Sequence, residues 1–227
     1  MPSSTVNPAI LETLASFDSA TVQNAAVVVR GYVPESHDYS GPELRHMSAS
    51  HRTTVGYAVT STWMPLHKPA RAAVDRYALY DAVAAAGAPV IAVLQDIDVP
   101  ARRGAIMGDG MAYIMRRLGA VGAVVDGNAR DVPGIDESGI GLWATGRAPG
   151  HGPFGIVTQG EPVTVAGLHI LQGDILVCDG DGVTRVPVEI AAEVARACAD
   201  VRDKEAKRIE YFVAQDFAYE TWRKERR

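Results

Sequence analysis

Gly108-Asp109-Gly110-Met111 and, separated from Asp109 by twenty residues, Arg130-Asp131 are the residues whose types and spacing could do chemistry together. An acid between glycines at the start of a helical pattern leaves first-turn amides open to an anion, and the helix dipole favours negative charge there. A guanidinium at Arg130 can polarise a keto oxygen and steady the enolate that forms on it. Asp131 offers a hard carboxylate oxygen to Mg²⁺ or Mn²⁺, a kind of cation that keeps several waters and acts as a Lewis acid on the same α-keto acid. Asp109, beside the amides, is placed to position a water for proton transfer. If the two stretches meet, the set makes an electrophilic site: Arg130 and Asp109 catalytic, Gly108, Gly110, Met111 and Arg130 binding the substrate, Asp131 holding the metal. Taken singly, Gly-Asp-Gly is more often a turn or helix cap, and an adjacent Arg-Asp pair more often a solvated loop.

The elements that must position these residues read as an α/β alternation. Pro8 to Ser16 forms a short helix with Asn7 as its cap, and a second follows near Thr21 to Ala26. Residues 31–52 read as loop. Thr53 to Thr62 is a strand, Asp75 to Ala86 a helix stopped by Gly87, and Pro89 to Asp96 a buried strand. Asp109 to Leu118 is a helix closed by Gly119, and Val121 to Asp126 a strand that ends in turn chemistry at Asp126-Gly127-Asn128. In such a strand-helix-strand unit, the loop before the helix and the loop after the next strand need not share an edge. Either the fold or an oligomer must bring them together.

Beyond residue 140 the pattern changes to short strands between glycines, with hairpin-turn composition at Asp179-Gly180-Asp181-Gly182. Pro187 to Trp222 reads as one long helix. Its stripe (Ile190, Val194, Ala197, Val201, Ile209, Phe212, Val213, Phe217) suits a core or a subunit interface. No linker or repeat interrupts residues 1–227, which are expected to form a single domain.

Composition narrows the partners. The chain has 227 residues, a net charge of −5, 47% hydrophobic and 22% charged residues and a pI near 5.7, so no overall positive field draws in nucleic acid. The basic end Arg223-Lys224-Glu225-Arg226-Arg227 reads as a solvated tail. Met1 to Thr5 lacks a signal-peptide pattern, and no stretch approaches the roughly 18 apolar residues of a membrane span. Cys178 and Cys198 read as small core residues in a reducing compartment. A cytoplasmic protein without nucleic-acid or membrane partners is expected. The six histidines (37, 46, 51, 67, 151, 169) form no HExxH or HxH, and Gly104 to Gly110 lacks dinucleotide-binding spacing.

The segment GDGMAYIMRRLGAVGAVVDGNARDVPGI (108–135) closely resembles the signature of the RraA-like superfamily: an acid after glycine, twenty residues, then Arg-Asp. TVQNAA (21–26), GYAVTSTWMP (56–65), VLQDID (93–98) and GLHILQGDILVCDGDGVTRVP (167–187) are similar to family segments in the same order. That family includes the 4-hydroxy-4-methyl-2-oxoglutarate / 4-carboxy-4-hydroxy-2-oxoadipate aldolases. The resemblance implies a β/β/α swivelling-domain fold, assembled as a homotrimer or homohexamer with active sites at subunit interfaces. It implies divalent-metal cleavage of a 4-hydroxy-2-oxo acid to pyruvate, with oxaloacetate decarboxylation through the same enolate. It assigns Arg130 to the keto acid, Asp131 to the metal, the Gly108–Met111 amides to the carboxylate and Asp109 to a proton-handling water network. Two other functions occur in the superfamily, sugar-acid dehydration and non-catalytic binding of RNase E.

The chain departs from that pattern in several places. Gly134 stands where the aldolases carry an acid, with Asp136 and Glu137 beyond it, and Asn24 stands where relatives carry aspartate. The loop at 145–155, with Arg147 and His151, and the segment around Trp63 and His67 could reshape the pocket.

Overall fold

The computed structural model describes residues 6–33, 38–50, 52–66, 74–87 and 89–225. Met1 to Thr5, His37, His51, His67, Arg226 and Arg227 lie outside the described residues. Helix α1 (Pro8–Ala15) starts as its sequence dictates, with Asn7 Oδ1 accepting the Ala9 N–H at 3.0 Å and Pro8 in the first turn. Helix α2 (Ser19–Arg30) extends past the expected Thr21–Ala26 at both ends. Asp18 caps its start by accepting the Thr21 N–H at 2.7 Å, and Gly31, at φ 78°, closes it.

A mixed sheet forms the centre. Strands β2 (Thr54–Met64), β3 (Val90–Asp96), β5 (Ala120–Ala129) and β6 (Gly141–Arg147) lie parallel in the order β6-β5-β3-β2. Helices α3 (Ala78–Ala86), α4 (Asp109–Arg117) and α5 (Val132–Glu137) connect them. The two-residue strand β1 (Arg45–His46) edges β6. Strand β7 (Gly155–Gln159) pairs with the far half of β2, and the hairpin β10 (Ile175–Asp179) and β11 (Gly182–Val186) with its near half.

One face of the sheet buries Leu94 and Val125 in a cluster with Val83 of α3, Met115 of α4 and Ile135 of α5. The hairpin β8 (Val163–Val165) and β9 (Leu168–Ile170) covers Ile91, Val93, Val124 and Trp143. Around β10 and β11, α1, α2 and the C-terminal helix bury Leu14, Val22, Val177 and Cys198. Cys178 and Cys198 are both fully buried, as expected of core residues. The chain is thus α/β, with a nearly closed mixed sheet and a long C-terminal helix.

Three expectations change. Asp126-Gly127-Asn128 is not a turn: β5 runs on to Ala129, its register against β6 shifting between Val125 and Asn128. Gly127 serves packing there, since a Cβ would stand 3.0 Å from the Asp96 Cβ. Second, Ala105–Met107 forms strand β4, which pairs parallel with the end of β5 (Ala105 with Asn128, Met107 with Ala129). Third, the helix expected over 187–222 is interrupted. A 3₁₀ turn (Val188–Ile190) leads into α6 (Ala191–Val213), Ala214 is extended, and α7 (Tyr219–Glu225) follows. The stripe is buried only as far as Val201, while Ile209 is 60% and Val213 74% exposed. A turn from Ala214 to Phe217 then brings the Phe217 ring back onto Tyr211 and Phe212 instead of prolonging the stripe.

Candidate active site

Strand β4 settles how the two halves of the motif meet. Because it runs beside the end of β5, the start of α4 emerges at the same sheet edge as Arg130, within one chain. The Arg130 N–H donates to the Met107 carbonyl at 2.9 Å and prolongs that pairing by one residue. Gly108 follows with extended backbone, φ −140° and ψ 178°. A Cβ on it would stand 3.3 Å from Asp131 Oδ2 and 3.4 Å from Arg130 Nε, so the glycine lets the Arg-Asp pair lie against the α4 entry.

Within the pair, Arg130 Nε lies 3.1 Å from Asp131 Oδ2, and both side chains are part-exposed, at 36% and 45%. Asp131 is left-handed, φ 53° and ψ 36°, and although it stands at the cap position of α5 its side chain makes no capping bond. Its carboxylate is directed to the site instead. Asp109 begins α4, and its Oδ1 accepts the Gly110 N–H at 2.6 Å. The Gly110 amide expected to be open to substrate is thus held by Asp109. Across from it stands Gly134, in the first turn of α5, where a Cβ would lie 2.8 Å from the Asp109 Cβ.

Other expected residues divide between this edge and elsewhere. Arg147 ends β6 in register with Ala129 and is exposed beside Arg130 in the sheet order. The loop after it packs onto β4, the Ala105 N–H donating to the Gly150 carbonyl at 2.8 Å. Phe154 meets the His151 ring edge-on and the Trp63 ring at a tilt, while Trp63 is 2% exposed and donates its indole N–H to Ser61. Asn24 is remote, donating to Glu205 on α6. Asp136 accepts the Ala49 N–H at the far end of α5.

A cavity of about 770 Å³ opens near the beginnings of the parallel strands, lined by Leu11, His46, Arg52, Tyr57, Arg116 and Asp136 among others. None of Gly108, Asp109, Arg130 and Asp131 borders it.

Sequence reasoning missed the two residues that hold the approach to β4. Asp96, 7% exposed, accepts the Asp98 and Arg102 N–H groups, each at 2.8 Å. Asn128 donates to the Arg102 and Gly104 carbonyls. Together they pin the segment 97–104. Burial raises the Asp96 carboxyl above its usual range, helped by the charges of Asp98 and Asp126, against the two N–H bonds that lower it. Asp96 closing a buried strand was the one signal available.

A divalent cation fits this donor set only in part. Among the described residues no three His, Cys, Asp or Glu side chains converge. Mg²⁺, however, is commonly held by one or two carboxylates plus water and substrate oxygens, which a part-exposed Asp131 allows.

Comparison with known proteins bears on the family. The model of the RraA-like family, described as Aldolase/RraA, matches residues 20–185. The chain belongs to the RraA-like family. It is 33% identical over 84 residues to "Putative 4-hydroxy-4-methyl-2-oxoglutarate aldolase" of Halalkalibacterium halodurans, covering 37% of this chain and 40% of that protein. It is 30% identical over 95 residues to "Putative 4-hydroxy-4-methyl-2-oxoglutarate aldolase 3" of Arabidopsis thaliana, covering 39% of this chain and 54% of that one. The match thus spans about half the length of these curated relatives, or less. Among solved structures, RraAS2 of Streptomyces coelicolor, described as an unusual member of the RNase ES inhibitor RraA family, superposes with a TM-score of 0.72 at 25% identity, over 90% of this chain and 98% of that one. An uncharacterized protein of Pseudomonas syringae pv. tomato gives 0.74 at 23% identity, over 96% and 94%. The fold is therefore shared with an inhibitor-named member of the family, while the relatives named as aldolases match part of the chain in sequence. Among the described residues, no helix is long and apolar enough to cross a membrane.

Proposed function

We propose that this RraA-like chain is a divalent-metal-dependent lyase that cleaves a 4-hydroxy-2-oxo acid to pyruvate, with oxaloacetate decarboxylation as a companion activity. The observation that carries the reading is the meeting of Asp109, Arg130 and Asp131 around Gly108 at the α4 N-terminus. Relatives named as aldolases support it at family level.

The chain's own groups divide the work. The Met111 amide holds the substrate C1 carboxylate at the positive end of α4, while that of Gly110 stays on Asp109. Arg130 donates to the C2 keto oxygen and holds the negative charge that develops there. A water positioned by Asp109 takes the proton of the C4 hydroxyl. The O–H electrons form the new carbonyl at C4, the C3–C4 bond breaks, and its electrons pass through C3 to the C2 oxygen. The same water returns a proton to C3, giving pyruvate and a carbonyl product. With oxaloacetate, loss of CO₂ from C3 leaves the same enolate. Asp131 would hold Mg²⁺ or Mn²⁺, which when bound supplies Lewis-acid pull on the keto acid oxygens.

A homotrimer or homohexamer, with a neighbouring subunit completing the pocket, accounts for a site that this chain leaves half open. Two buried free thiols suit a reducing cytoplasm.

Pyruvate release from oxaloacetate and from 4-hydroxy-4-methyl-2-oxoglutarate, read through lactate dehydrogenase with Mg²⁺ and with EDTA, tests the reading. Metal-dependent release from both is expected. Decarboxylation alone would keep the enolate site and move the search to sugar acids. The likeness to RraAS2 favours one other reading, a non-catalytic regulator. Silence on both substrates together with binding to RNase E would establish that instead.

A further inference from the structure

The first turn of α5 contains a space shaped by the absence of one side chain. A Cβ on Gly134 would stand 2.8 Å from both Cβ and Oδ2 of Asp109 and 3.3 Å from its Cγ. One of those neighbours is a Cβ fixed to the α4 backbone, not the tip of a flexible chain. Adding even a methyl group therefore requires α4 and α5 to move apart or Asp109 to leave its place. Backbone conformation does not call for glycine here: Gly134 is absent from the positive-φ residues, and it lies within a helix, where alanine is the better former. Space is the remaining reason, and the side chain occupying that space is Asp109.

We propose that Gly134 is a positioning residue for Asp109. The carboxylate is held from two sides, Oδ1 on the Gly110 N–H at 2.6 Å and Oδ2 against the bare Cα of Gly134. Seated so, it occupies the short gap between the start of α4 and the start of α5. The Arg130–Asp131 pair lies against the same α4 entry, over Gly108. Two glycines, one on each segment, thus leave room for three charged side chains at the start of α4. Gly134 fixes where the proton-handling group stands relative to the keto oxygen that Arg130 grips.

The inference rests on the pyruvate-forming reading of the site, and its test separates the two. Gly134→Ala, Asp109→Gly and the double variant are compared by kcat and KM for Mg²⁺-dependent pyruvate release from 4-hydroxy-4-methyl-2-oxoglutarate, and by melting temperature. Gly134→Ala is expected to lower kcat on the order of tenfold to a hundredfold, as a displacement of about 1 Å does, with KM little changed. In the Asp109→Gly background the same alanine meets no Cβ and should cost neither residual rate nor melting temperature. Should Gly134→Ala not fold, Asp109→Glu, which keeps the charge but moves the carboxylate by one methylene, must lower kcat instead. Wild-type kcat in Gly134→Ala or in Asp109→Glu overturns the inference, as does an equal loss with and without Asp109. If wild type itself releases no pyruvate, the lyase reading fails and the positioning role falls with it, whatever the melting temperatures record of the packing.

Discussion

Asp131 adopts a left-handed conformation at φ 53°, which costs a non-glycine residue about 1–3 kcal/mol when its surroundings must hold it there. The conformation aims a carboxylate at Arg130 Nε that would otherwise cap α5. Asp131→Asn keeps that backbone tolerance and removes the charge. It should abolish the Mg²⁺ dependence of pyruvate release while the chain still folds, and Mn²⁺ titration followed by paramagnetic resonance should show the site lost. Retained tight Mn²⁺ binding would transfer the metal role to another residue. Arg130→Lys tests geometry at constant charge, since an ammonium lacks the planar fork of a guanidinium. Release should fall at least about a hundredfold, the scale set by losing one oxyanion donor. Asp96 behaves differently, because burial raises its carboxyl above the ordinary 3.8. A raised carboxyl favours the protonated fold, so its contribution to stability is full below the unfolded value and is lost as pH rises through the folded one. Asp96→Asn cannot titrate and lacks one acceptor for the Asp98 and Arg102 N–H groups. Its melting deficit against wild type should therefore narrow as pH rises through the acid range; a widening deficit would mean that the hydrogen bonds, not burial, dominate.

At the scale of elements, β4 decides whether the site exists at all, and it depends on the segment 97–104 that Asp96 and Asn128 pin in place. Asn128 reaches the Arg102 and Gly104 carbonyls only because Gly146, on β6, has no side chain: a Cβ there would stand 2.2 Å from Asn128 Oδ1. Gly146→Ala should displace that amide and leave two carbonyls without their donor, a loss of about 1–3 kcal/mol if they stay buried. Amide exchange at 102–107 should accelerate and pyruvate release should drop. Unchanged protection there would place the hold on Asp96 alone. The same elements mark what the sequence made legible. Helix α4 and the apolar half of β5 follow from their periodicities; Asp109 stood out as an acid between glycines at a helix start, and Arg130 and Asp131 as adjacent opposite charges where a buried strand ends. Strand β4 did not stand out, because three residues flanked by glycines carry no period. The end of β5 read as a turn, because Asp126-Gly127-Asn128 has turn composition. Its true reason, the approach of the Asp96 Cβ to Gly127, belongs to another strand. Gly146 is silent in sequence for the same cause, and Gly134 stood out only as a departure from the family pattern: each is dictated by a side chain on a different element.

The whole molecule ends in a helix of two characters. Up to Val201, α6 packs on α2 and the β10–β11 hairpin; beyond it Ile209, Tyr211, Phe212, Val213 and Tyr219 are all exposed. Tyr211, Phe212, Phe217, Tyr219 and Trp222 gather into one cluster with ring centroids 5.6 to 5.9 Å apart. Contiguous exposed apolar surface of this kind marks contact sites more often than it decorates a monomer. At the sheet edge, Arg130 and Asp131 are both part-exposed, at 36% and 45%. A second copy closing over that edge answers both observations in the proposed homo-oligomer. Ending the chain at Glu205 removes the exposed half of α6, the aromatic cluster and α7, but no residue of the buried core, whose last member is Val201. The shortened chain should therefore keep its far-ultraviolet signature and melt cooperatively, because the packing that stabilises the body is intact. Light scattering after size exclusion should show the assembly reduced to a smaller species, and pyruvate release should be lost with it, since each site would lose what a neighbour contributes. A truncated protein that stays assembled at the wild-type rate would put the subunit contact elsewhere on the body. Assembly retained with activity lost would make the tail a part of the pocket and not of the interface.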